Sequence, residues 1–105
     1  IFLVKVPTAV LEAPNGGVER KFVHIVCRVT GTPNPIITWY KNGTVLANSI
    51  RISKMTIPDG EVIKIRLRQV DHEAYYECIA SNVNGMARSG KAWLKVYKRE
   101  SVVIH

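Results

Sequence analysis

The side chains that could do covalent, metal or acid–base chemistry in this 105-residue sequence are two cysteines, three histidines and eight carboxylates. Cys27 and Cys78 have no third or fourth thiol beside them, so no zinc site of standard spacing can be assembled. Such a pair reads as one disulfide or, in a reducing compartment, as two buried thiols. His24 falls on an outward strand position, His72 at a corner and His105 at the terminus, so they cannot easily converge with a nucleophile and an orienting group. Glu12, Glu19, Asp59, Glu61, Asp71, Glu73, Glu77 and Glu100 scatter over loops and outer faces, where solvation is the expected role. Asn15-Gly16-Gly17 lies between strands with no helix after it and reads as a turn, not as a phosphate loop. No enzymatic activity, metal or cofactor is expected.

What remains open is modification and recognition. Asn42-Gly43-Thr44 is an N-glycosylation sequon on an exposed hairpin turn, although turn chemistry accounts for the same residues equally well. Fifteen Lys and Arg against eight Asp and Glu give a net charge of +7, a field that draws in anions such as sulphated glycans, acidic lipids or nucleic acid.

The elements that must position these groups are strands. From Phe22 to Thr30, Val23, Ile25, Cys27 and Val29 alternate with His24, Val26, Arg28 and Thr30, the two-residue period of a half-buried strand. Gly31-Thr32-Pro33-Asn34-Pro35 interrupts, and Ile36 to Lys41 resumes with Ile37 and Trp39 inward. Asn42-Gly43 then turns the chain back as Thr44-Val45-Leu46. Further strands are expected over Ile50–Met55, Val62–Val70, Tyr75–Ser81 and Met86–Tyr97, with Tyr76, Cys78 and Ala80 inward on the third and Ala92, Leu94 and Val96 inward on the last. Hydrophobic residues make up 47%, enough for one core, and no apolar run approaches the roughly 20 residues a membrane span needs. The opening Ile1-Phe2-Leu3-Val4 is cut by Lys5 and reads as neither span nor signal peptide. One all-β domain over 1–98 is expected, with 99–105 as linker or strand extension, and the sequence reads as a processed chain or a module of something larger.

Two inward cysteines, an inward tryptophan after the first and a tyrosine two residues before the second form a combined pattern. It resembles the immunoglobulin superfamily, and the short stretch between the cysteines together with Ala80-Ser81-Asn82-Val83-Asn84-Gly85 is similar to I-set domains. The resemblance implies a two-sheet antiparallel sandwich in which the Cys27–Cys78 disulfide bridges the sheets, Trp39 packs on it and Tyr76 pins a corner. The family's corner Asp is displaced here to Asp71, and Arg51 stands where its ion-pair partner is expected. The segments around Trp39 and Tyr76 look most like domains of neural adhesion proteins and of receptor tyrosine phosphatases and kinases.

Two surfaces follow from strand parity. On the family's A-B-E-D sheet, Arg28, Lys64, Arg66 and Arg68, extended by Arg51 or Lys54, are expected to form a basic rail for a polyanion such as heparan sulphate; the bland alternative is a solvated face. No nucleic-acid-reading motif accompanies it. On the C-F-G sheet, Tyr40, Tyr75, Ile79, Trp93 and Tyr97 are expected to point outward with Lys91 and Lys95 beside them, the composition of a protein interface, with Trp93 alternatively covered by Lys stems, a glycan or a neighbouring domain. The implied function is an extracellular recognition or adhesion module of a cell-surface protein, with a protein partner, a second copy, or adjacent immunoglobulin or fibronectin-type domains as neighbours. The other reading is a structural spacer in an intracellular, titin-like filament protein.

Overall fold

Residues 5–98 are described by the computed structural model. They form β1 (Lys5–Glu12), β2 (Gly16–Val18), β3 (Phe22–Thr32), β4 (Ile36–Lys41), β5 (Thr44–Val45), β6 (Ile52–Ile57), β7 (Gly60–Arg66), the single-turn α1 (Gln69–His72), β8 (Ala74–Asn82), β9 (Gly85–Arg88) and β10 (Ala92–Tyr97). Sheet one has the order β1-β3-β7-β6. Sheet two runs β2-β10-β8-β4-β5, with β9 paired to β8. The all-β, two-sheet sandwich expected from the sequence is the fold observed. Residues 1–4 and 99–105 lie outside the described residues, and with them the boundary expected at 98.

Alternation builds the core. Val23, Ile25 and Cys27 of β3 face inward and lie opposite Ile65, Ile63 and Glu61 of β7, while His24 and Lys64 share the outer face. A one-residue slip of this register would drive Lys64 and Arg66 into the core, so the pairing is strongly specified. Trp39, Tyr76, Ile25, Ile63, Ile65, Leu67, Leu94 and Val96 are fully buried between the sheets.

Two fastenings join the two sheets, and a third pins the corner between them. Cys27 of β3 is disulfide-bonded to Cys78 of β8, with Cα atoms 6.3 Å apart. Closing 51 residues of chain stabilises the fold by about 4 kcal/mol in the chain-entropy view. Trp39 lies beside Cys78 in register, and its indole N–H donates to Glu61 Oε1 of β7 at 2.5 Å. At the corner, the Tyr76 hydroxyl donates to the His72 carbonyl at 2.8 Å, and burial pushes the phenol pKa up, keeping it a donor. His72 is itself buried, its pKa lowered chiefly by desolvation, and its neutral Nδ1 accepts the Arg68 N–H at 2.7 Å.

Several boundaries differ from the sequence reading, each for a local reason. The strand expected from Ile50, β6, starts at Ile52, because Ser49 Oγ accepts the Arg51 N–H and holds a turn there. The strand expected to reach Val70 stops at Arg66, where the chain bends into α1. Met86–Tyr97 is two strands: the Ser89 hydroxyl accepts the Cys78 N–H at 3.0 Å while the Ser89 N–H donates to the Cys78 carbonyl at 2.9 Å, and Gly90 then turns away at φ +85°. Asn15-Gly16-Gly17 is no simple turn, since Gly16–Val18 pairs in parallel with Lys95–Tyr97, a parallel pair in a sandwich expected to be antiparallel. The missing side chain allows this: a Cβ on Gly16 would stand 2.8 Å from the Lys95 carbonyl oxygen.

Candidate functional site

On the outer face of sheet one, Lys64 and Arg66 of β7 are exposed as expected, with His24 beside Lys64 and Phe22 beside Arg66. The Lys64 ammonium sits 4.4 Å over the Phe22 ring, a cation–π contact. The rest of the expected rail does not assemble. Arg28 lies at the far end of the sheet, opposite Gly60, where Glu12 and Asp59 bracket its guanidinium and raise its pKa, Glu12 contributing most. Its charge is neutralised locally. Arg68 stands beyond the end of β7 and pairs with Asp71 at 3.4 Å. Asp71 therefore does not reach Arg51, which has no carboxylate within 4.0 Å among the described residues. Arg51 does extend the row, since its carbonyl accepts the Arg66 N–H; Lys54 lies opposite Ile63 and has the wrong parity. Between Arg28 and Lys64 an apolar band crosses three strands, Val26, Val62 and Met55. Charge alternation along β7 gave no sign of it, because the band runs across strands and not along one.

On the outer face of sheet two, Trp93 of β10 and Tyr75 of β8 are directly opposite each other, 44% and 49% exposed. Their rings meet edge to face, centroids 4.8 Å apart and planes at 61°. Tyr97 is exposed further along β10, and Lys95 pairs with Glu73 beside it. Tyr40 is half-buried. Ile79 has the expected outward parity but is only 7% exposed, contrary to its assignment as an interface residue. It is flanked in register by Thr38 of β4 and Arg88 of β9, and Arg88 reaches along β8 to Glu77 at 3.3 Å. The aromatic face is thus the Tyr75–Trp93–Tyr97 end of the sheet.

The carboxylates expected to be solvated are largely structural. Glu61 faces inward to Trp39, and Glu77 is buried beneath Arg88. Glu73 accepts the Val96 N–H at 3.0 Å, which is the main cause of its lowered pKa. Glu19 accepts the Gln69 N–H at 3.1 Å. The even spacing of Glu61 with inward Ile63 and Ile65 was a signal that it shares their face.

The hairpin that carries the sequon forms as expected, with Asn42 and Gly43 at φ +50° and +78°. The Asn42 N–H donates to the Tyr75 carbonyl at 2.9 Å, and Asn42 Oδ1 accepts the Tyr75 N–H at 3.0 Å.

A family model described as immunoglobulin domain matches residues 7–82, from Pro7 within β1 to the end of β8. The chain belongs to the immunoglobulin family. This immunoglobulin domain is 45% identical to human Hemicentin-1 over 64 residues, 61% of the chain and 1% of that protein. It is 32% identical to Protein sidekick of Drosophila melanogaster over 103 residues, 95% of the chain and 4% of that protein. Among solved structures it superposes on the titin M3 domain with a TM-score of 0.80 and 28% identity, over 92% of this chain and all of that one. The immunoglobulin domain therefore spans a few per cent of the length of these curated relatives.

Proposed function

We propose that this immunoglobulin domain is an extracellular recognition module of a cell-surface receptor or adhesion protein, and that it meets a protein partner through the outer face of sheet two. The exposed edge-to-face pair of Tyr75 and Trp93 carries the reading. Aromatic anchors of this kind dominate binding energy when a partner desolvates them. Likeness to Hemicentin-1 and Protein sidekick supports it, as does a cysteine pair in bonding geometry. The partner is a different surface protein or a second copy, and the parent chain carries further immunoglobulin or fibronectin-type domains. A secondary contact with heparan sulphate uses Lys64 and Arg66 with Arg51, and leaves out Arg28 and Arg68.

Fluorescent tetramers of the domain applied to cultured cells test this. Staining should fall at least tenfold with Trp93→Ala and survive Lys64→Glu/Arg66→Glu; the basic contact should show as heparin retention that the double reversal removes and salt weakens. Staining unchanged by Trp93→Ala would refute the sheet-two interface.

The fit to all of titin M3 favours a second reading, an intracellular filament spacer. Titration of unfolded, unreduced protein separates the two: no reactive thiol supports export, two reactive thiols the spacer.

A further inference from the structure

We infer that Asn42 carries an N-linked glycan whose first sugar packs on the Tyr75 ring and so sets one border of the proposed partner face. The inference rests on the reading that the domain is exported. Asn42, Gly43 and Thr44 are all exposed on the β4–β5 hairpin, so the whole acceptor sequence is presented to solvent.

The hydrogen bonds orient the modifiable atom. The partner of the Asn42 side chain is a backbone N–H, which only an oxygen can accept, so Oδ1 is fixed against Tyr75 and Nδ2 is turned outward. Nδ2 makes no hydrogen bond among the described residues. The position of this residue completes the geometry. Asn42 continues the β4–β8 ladder opposite Tyr75, and Tyr75 lies opposite Trp93, so the three residues are in line across sheet two, with Asn42 at the end of the Tyr75–Trp93 row. Neighbouring strands are about 4.8 Å apart, which brings a sugar on Nδ2 beside the half-exposed Tyr75 ring. The apolar C–H face of a pyranose packs on such a ring as another apolar group would.

In the transfer, Nδ2 attacks C1 of the reducing-end sugar of a lipid-linked diphosphate oligosaccharide. The N–C1 bond forms, the C1–O bond to phosphate breaks with its electron pair leaving on the lipid diphosphate, and the amide gives up one proton.

The test expresses the domain through a eukaryotic secretory route and compares it with Thr44→Ala, which removes the acceptor hydroxyl but keeps both Asn42–Tyr75 hydrogen bonds. Intact mass should show a glycan at Asn42 that Thr44→Ala lacks. The glycosylated form should unfold a few degrees higher than Thr44→Ala; that gap should persist in Tyr75→Phe and vanish in Tyr75→Ala. A secreted, disulfide-bonded domain unmodified at Asn42 overturns the inference while leaving the exported reading intact. A glycan whose stabilisation ignores Tyr75→Ala overturns the packing. Two reactive thiols on unfolding the unreduced protein overturn both readings, because no oligosaccharide donor meets the sequon in a reducing compartment.

Discussion

Between β3 and β7 the backbone ladder runs unbroken from Phe22–Arg66 to Arg28–Gly60, whereas in sheet two three side chains take over ladder positions: Ser89 at Cys78, Glu73 at Val96 and Asn42 at Tyr75. The two outer faces are therefore built differently. On sheet one, Lys64 and Arg66 are supported by a backbone that does not need them. On sheet two, polar residues at the surface also satisfy backbone groups near the core, so surface and stability are coupled.

The largest break should come where the sheets are tied together. Trp39→Phe removes the indole donor from β4 and leaves the inward Glu61 of β7 without it, so unfolding free energy should fall by about 1–3 kcal/mol, read from the urea midpoint. An unchanged midpoint would mean that Glu61 finds solvent. A smaller effect separates the sheets themselves. Ser89→Ala should cost about 1 kcal/mol by orphaning the Cys78 N–H, while Lys64→Glu/Arg66→Glu should stay within about 0.5 kcal/mol. Equal losses would erase the distinction between the two faces.

The smallest is a pH effect at α1, which links the sheets. His72 has a folded pKa below its ordinary 6.5 because it is buried, so the unfolded chain binds the proton first as pH falls. Stability should be complete above pH 6.5 and decline as the pH drops toward the folded value, and His72→Gln should flatten thermal melts over that range. Glu73 acts lower, below its ordinary 4.5, where loss of its charge weakens the bond to Val96.

Sequence alternation was enough to place Cys27, Trp39, Tyr76 and Cys78 in the core and Lys64, Arg66 and Trp93 outside it, because parity along one strand is a local property. It failed where the neighbouring strand decides. Ile79 is outward yet buried because β4 and β9 flank it on both sides. Arg28 is outward yet neutralised, because Glu12 arrives from β1 and Asp59 from the turn before β7. Arg51 and Asp71 were matched by family pattern, but Asp71 finds Arg68 three residues away, a contact set by the α1 turn. The parallel pairing of β2 was illegible for the same reason: its partner lies near the other end of the chain.

That pairing bears on how the domain is made. A chain leaving the ribosome presents Gly16–Val18 before β3, but the strand that accepts them, Lys95–Tyr97, emerges after the other strands described. Sheet one is complete in sequence by Arg66, so its ladder can form while synthesis continues. Sheet two cannot close its β2 edge until Lys95–Tyr97 have been made, and until β8 emerges to join β4 the inner face of sheet one needs shelter from other nascent chains.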